Sequence, residues 1–222
     1  KVKFVLPAST EPTRKFMLIN QEPANVNVIG SVTARNFVNY ANTAQQGDYL
    51  IISHPALYND GNGVNYVDQY KQYRSTTQGG SFDPKVYSID ELTDQFAFGI
   101  KGHPTAVRDF VRYADQNFSV RPKYALLIGR GLNYMEQQAH QSNPLADKLN
   151  FIPTFGWPAS DVLMVSEPGT TLPIVPVGRL GVVNGTEISY YLEKVKQYEL
   201  AQQTPGSTIA SKAWMKNFIH VA

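Results

Sequence analysis

The 222-residue chain carries a formal net charge of +2, is 42% hydrophobic and contains no cysteine. That apolar content suffices for an ordinary buried core, whereas the charge falls far short of the basic footprint of a nucleic-acid binder. Disulfides, thiolate metal sites and a cysteine nucleophile are excluded within these residues, and no apolar run reaches the roughly 18 residues of a membrane-spanning helix.

A chain that starts at Lys1, with neither an initiator methionine nor a signal-type segment, reads as an excised piece. Residues 1–46 form an irregular lead-in with short-strand character at 2–6, 16–19 and 26–29. Residues 48–53 (DYLIIS) give the first strand that reads as buried on both faces, and His54-Pro55 stops it. A glycine-marked loop, 59–63, leads to a helix over 64–76 with Val64, Val67 and Tyr70 at helical spacing. A short strand follows at 84–88, then a brief helix for which Ser88 and Glu91 form a capping-box pattern and which Gly99 ends. Pro104 suits the first position of a longer helix to Phe118, with Val107, Phe110, Val111 and Ala114 on its apolar stripe. That helix feeds residues 124–128 (YALLI), opened by Pro122 and closed by Gly129 and Gly131, the central strand of a parallel sheet.

Residues 133–150 are polar and predict a long loop with a helical turn. Short strands are expected at 151–154 and 161–165, and another at 174–177, which Pro176 confines to an edge or a strand start and residues 178–181 (GRLG) close. Asn184 caps a further helix with Glu187 at the reciprocal position, and Ile188, Tyr191, Leu192 and Val195 carry its apolar face up to Tyr198. After a linker at 202–207, the alternating pattern of 214–222 predicts a new strand. Strands and helices in alternation specify an α/β fold, a parallel sheet in three layers with helices on both faces. In such sheets ligands collect beyond the carboxyl ends of the strands, here around the turn 129–134.

Among the four histidines, His54 follows a central strand at that edge. His103 reads as a helix-start residue, His140 as solvated and His220 as strand filler. No histidine pair has i, i+4 spacing and no His/Asp/Glu cluster has zinc spacing, so metal catalysis has no support, while calcium on loop oxygens stays open. Gly129-x-Gly131 lacks the third glycine of a dinucleotide fingerprint, and no Gly-x-Ser-x-Gly elbow occurs. Ser160-Asp161, after the aromatic segment 155–158 (FGWP), is a candidate for meeting a basic or hydroxylated substrate group, against a turn-capping role for the carboxylate. Arg130 and Arg179 stand beside glycines at strand ends, most simply as members of structural salt bridges.

Taken in order, residues 48–55 (DYLIISHP), 102–110 (GHPTAVRDF), 122–129 (PKYALLIG), 152–154 (IPT), Ser160-Asp161 and 177–180 (VGRL) through Tyr198-Glu199 resemble the gingipain family of cysteine peptidases. The nearest likeness is to the branch serving as sortases of the type IX secretion system in Bacteroidetes, over roughly residues 45–222. The resemblance implies a caspase-like catalytic region of two adjacent α/β subdomains with flavodoxin-like topology, the dyad His and Cys both on the second. It also implies an extracytoplasmic place, at the cell surface or outer membrane. On that reading residues 1–46 are the lead-in, 47–208 the first subdomain, and 209–222 a linker with the first strand of the second. The dyad then lies beyond Ala222, in agreement with the missing cysteine, and none of the four histidines belongs to it. Many relatives carry Gly-Asp-Gly where this chain has Gly129-Arg130-Gly131, which puts in question any calcium or substrate role of that acid.

The chemistry implied is a thiolate made nucleophilic by an imidazole, acylated by a peptide carbonyl and released to water in hydrolysis or to an amine in transpeptidation. This chain is expected to supply packing support and a substrate rim carrying His54, Ser160 and Asp161, to hold no catalytic residue and to be inactive alone. Its expected partners are a protein or peptide substrate and the downstream subdomain, with no cofactor apart from calcium in the parent protein. A non-catalytic scaffold binding a secreted protein is the alternative, and a flavodoxin-like ligand-binding domain a third.

Overall fold

Four short apolar stretches build the sheet, and the helices between them are what parallel pairing requires, because parallel neighbours need a crossover. The computed structural model describes residues 5–17, 19–26, 28, 30–31, 34–140 and 142–217. In chain order its elements are β1 (Tyr49–Ser53), α1 (Tyr66–Ser75), β2 (Pro84–Ser88), α2 (Ile89–Phe96), α3 (Thr105–Asn117), β3 (Tyr124–Ile128), α4 (Tyr134–Ala139), α5 (Pro144–Leu149), α6 (Asp161–Met164), β4 (Val177–Leu180), α7 (Gly185–Gln203) and α8 (Ile209–Lys212). The chain divides into two units, Lys1–Asn36 and Phe37–Ala222. In the first, the described residues form one 3-10 turn, Pro23–Asn25, and otherwise no regular element.

The second unit holds the sheet, ordered β2-β1-β3-β4 and parallel throughout. Tyr49 is in register with Pro84 on one side and Tyr124 on the other, so β1 and β3 are central. Alternation along each strand sends successive side chains to opposite faces. Leu50, Ile52, Ala125 and Leu127 pack with α2 and α3, while Ile51, Leu126 and Ile128 pack with α1 and α7. This is the three-layer arrangement expected from the sequence.

One core is organised on Phe110 of α3, which is fully buried. Its ring lies 4.6 Å from Tyr87, 5.3 Å from Tyr40, 5.6 Å from Phe96 and 6.2 Å from Phe118, all tilted or edge-on, the arrangement favoured by aromatic quadrupoles. On the other face, Arg74 of α1 binds Glu199 of α7 at 2.7 Å and Tyr70 at 2.8 Å, and the Tyr73 hydroxyl donates to Glu199 at 2.7 Å. Burial pushes the phenols of Tyr58 and Tyr73 up to about 12 and holds those of Tyr40, Tyr49, Tyr70 and Tyr87 above their ordinary value. A raised folded-state value means that the stabilisation is complete below pH 10, where the unfolded phenols are still protonated, and is lost as pH rises toward 12. Urea unfolding at about pH 8 and about pH 11 is expected to show a lower midpoint at the alkaline value.

Several boundaries differ from the sequence expectation for visible reasons. In place of a strand at 161–165, Asp161–Met164 form a single helical turn, α6, because the Ser160 hydroxyl accepts from the Leu163 amide at 3.3 Å and turns the chain. Residues 151–154 make no strand, since the Arg130 carbonyl takes both the Phe151 and Ile152 amides, at 2.9 and 3.1 Å, and no ladder propagates. The strand expected at 174–177 is displaced: Val177–Leu180 is β4, and Pro176 serves through its carbonyl, which accepts from Ala125 at 2.9 Å. Pro104 is the N-cap of α3 rather than its first residue, and Ser88 precedes α2 without a side-chain capping bond. Two short helices, α4 and α5, occupy the expected long loop. Trp214 lies in a 3-10 turn, Ala213–Lys216, instead of a strand, and the rest of the expected last strand, residues 218–222 with His220, lies outside the described residues. In the lead-in, Val5, Leu6, Phe16, Met17 and Ile19 belong to no strand, while residues 2–4, 18, 27 and 29 lie outside the described set.

Asn184 caps α7 as its position predicts, accepting from the Glu187 amide at 3.0 Å, while the Glu187 carboxylate reaches back to the Val183 amide at 2.9 Å. Replacing Asn184 with alanine is expected to cost about 1 kcal/mol and to lower Tm by about 2–4 °C in a thermal melt.

Candidate functional site

β1, β2 and β3 end at one edge of the sheet, and the segments that leave them shape a groove there. His54 follows β1, Asp90 lies in the first turn of α2 after β2, and the turn 129–131 follows β3. A cavity of about 240 Å³ is lined by His54, Asp90, Lys101, Gln137, Phe151 and Pro153. A second, of about 560 Å³, is lined by Lys101, His103, Gln137, Thr154, Phe155 and Trp157. Lys101, Gly102 and Gln137 border both, so the two adjoin as lobes of one groove at this edge.

The loop 151–158 is held in place by Arg179 of β4. Its Nε and Nη2 bind the two oxygens of Asp161 at 2.8 Å each. Nη1 donates to the carbonyls of Gly129 and Ile152 at 3.0 and 2.9 Å, and Nη2 also donates to that of Pro153 at 3.0 Å. All five guanidinium donors are thereby committed, with the forked planar geometry that lysine lacks. Gly131 permits the approach, because a Cβ there would lie 2.4 Å from the Ile152 carbonyl oxygen and 3.0 Å from Nη1 of Arg179.

Each residue singled out from the sequence has a definite place. Asp161 lies in the Arg179 pair, with both oxygens occupied. Ser160 caps α6 with its hydroxyl, and its amide donates to the Phe155 carbonyl at 2.7 Å, which ties the aromatic loop to the helix. His54 lines the groove. Its Nδ1 accepts from the Ala56 amide at 3.0 Å, which puts the proton of the neutral ring on Nε2, 3.8 Å from Asp90. That separation is an ion-pair distance too long for a hydrogen bond. The ring packs 5.2 Å from Phe151. Ser53, its neighbour, is fully buried and donates to the Ile128 carbonyl at 3.0 Å, so Ser53 and His54 are not a nucleophile and its base. His103 bonds the Thr105 hydroxyl at 2.7 Å at the start of α3, and His140 is the exposed C-cap of α4. The structure therefore brings Asp161 and Ser160 together as supports of the groove wall and places His54 in its lining.

Sequence reasoning passed over Lys101 and Gln137, which carry no local motif, and the FGWP segment was the one signal for Phe155 and Trp157. Among the described residues no group of three or more His, Asp or Glu side chains is arranged to hold a metal ion, and no helix is long and apolar enough to cross a membrane. Chemically the groove can bind an extended chain through amides, rings and an ammonium, but it presents no thiol.

Comparisons with curated proteins and with solved structures return no match. Residues 42–222 match the model for peptidase family C25. A four-stranded parallel sheet with helices on both faces is consistent with the caspase-like core of that family. On this match the chain belongs to peptidase family C25, the gingipain-like cysteine peptidases.

Proposed function

We propose that this chain is the first α/β subdomain of a gingipain-like cysteine peptidase or type IX secretion sortase, and that it supplies structural support and one wall of the peptide-binding cleft. The observation that carries the proposal is a C25 match over residues 42–222 that contains no cysteine. The thiolate chemistry of the family then has to come from elsewhere in the parent protein. Residues 47–208 are assigned to the first subdomain and 209–222 to the passage into the second. His54 belongs to the rim, and Ser160 and Asp161 act on substrate through the loop they hold. The outcome on the second subdomain is hydrolysis if water resolves the acyl-enzyme and transpeptidation if an amine does. By family, the setting is extracytoplasmic, at the cell surface or outer membrane.

Peptide turnover by this chain alone is expected to be nil, and to appear when the same residues are expressed together with the downstream segment of the parent gene. Turnover by this chain alone would refute the assignment. The same lack of cysteine favours a second reading, a non-catalytic scaffold that binds a secreted protein. A downstream His-Gly and a later cysteine in the parent gene decide for the enzyme, and loss of either decides for the scaffold.

A further inference from the structure

The groove at the carboxyl edge is chemically lopsided. Its larger lobe is walled by Phe155 and Trp157, two neighbouring aromatic residues that remain 42% and 69% exposed and so offer apolar surface to an incoming group. Among the described residues, none lining that lobe carries a carboxylate. Its charged group is Lys101, which borders both lobes and makes no ion pair among the described residues, with His103 beside it. Gln137 and Gln138 add amides able to pair with the backbone of an extended segment. Asp90, the one acid among the described residues of the smaller lobe, lies near His54 at the other end.

We propose that this groove selects peptides that place a carboxylate next to an aromatic or large apolar side chain. The ring enters the Phe155–Trp157 lobe and the carboxylate meets Lys101. This inference rests on the assignment of the groove to the peptide-binding cleft and specifies what it selects. An apolar pocket supplies contact area without discriminating between such side chains, whereas a cation that pairs with none of the described residues discriminates by charge. The same carboxylate chemistry is available from an internal Asp or Glu, or from a free carboxyl terminus directly after the aromatic residue.

Trp157 and Trp214 are the two tryptophans, so in a Trp214→Phe background the emission of Trp157 reports directly on the lobe. The probes are three acetylated, amidated peptides, Gly-Ser-Phe-Asp-Gly-Ser and its Phe-Lys and Phe-Asn counterparts, and an acetylated Gly-Ser-Phe with a free carboxyl terminus. A saturable blue shift is expected, with the Phe-Asp peptide binding about tenfold tighter than the Phe-Lys peptide. Lys101→Glu is expected to reverse that order. Trp157→Ala, followed by calorimetry, should abolish binding with no change in Tm because the indole is largely exposed. Tighter binding of the free-carboxyl peptide than of Phe-Asp identifies a chain terminus as the preferred source, and the reverse identifies an internal acid. Equal affinity for all three amidated peptides, or none for any, overturns the proposal. So does loss of binding when the downstream segment is present, because the neighbouring subdomain then fills the groove. None of these overturning results produces turnover by the isolated chain, so failure of the selectivity is distinguishable from failure of the subdomain assignment.

Discussion

Replacing Arg179 with lysine is expected to destabilise the protein by about 3 kcal/mol, close to what removing one partner of a buried ion pair costs. The charge is kept, but a single ammonium cannot span both oxygens of Asp161 and the carbonyls of Gly129, Ile152 and Pro153, which lie 2.8–3.0 Å from three different guanidinium nitrogens. The partners stranded by the change are the larger part of the effect, because an acceptor without a donor loses its water as well as its bond. Side-chain exposures of 15% for Arg179 and 23% for Asp161 make the pair partly buried, which holds the expectation at the low end of the cost for buried pairs. Urea unfolding gives the stability change. Faster amide exchange confined to residues 151–158 would show that the loop is what the guanidinium holds. A lysine variant within about 1 kcal/mol of the parent, with unchanged exchange there, would mean that packing alone fixes the loop.

Phe110→Ala is expected to cost about 3–5 kcal/mol, the range for removing a large aromatic side chain from a core that relaxes only partly. Four rings within 6.2 Å surround Phe110, and each is itself anchored: Tyr87 on β2, Phe96 on α2, Phe118 after α3, and Tyr40 ahead of β1. Anchored neighbours cannot close on the void, which puts the expectation in the upper half of that range. Phe110→Leu, which fills most of the same volume, should lose under about 1.5 kcal/mol in the same urea titration. Similar losses for the two variants would indicate that ring geometry, rather than filled volume, governs this core.

The two central strands were readable in the sequence because they are buried on both faces. YLIIS and YALLI carry unbroken apolar runs between proline, glycine or histidine stops, and both became central strands. α3 and α7 were readable from periodic apolar faces and, for α7, from the Asn184 cap. Residues 151–165 were misread since IPT and DVLMV have β-type composition, whereas their conformation is decided by distant groups. The Arg130 carbonyl gathers two amides, and the Ser160 hydroxyl starts a helical turn. The same limit applied at the site. Asp161 and Arg179 were both noticed, yet their union across 18 positions depends on α6 lying against β4, a tertiary fact with no local trace. Lys101 drew no attention because an isolated lysine in a loop becomes informative only once the groove it borders is known.

β4 also has a bearing on behaviour at high protein concentration. It is four residues long, and the carbonyls of Pro176 and Leu180 point to β3, so alternation turns the main-chain groups of only Val177 and Arg179 to the far side. Exposed strand margins are where foreign strands add and fibres start. A margin two residues long, one of them tethered through its side chain to Asp161, offers almost no template, so crowded copies are protected from zipping together along this side of the fold.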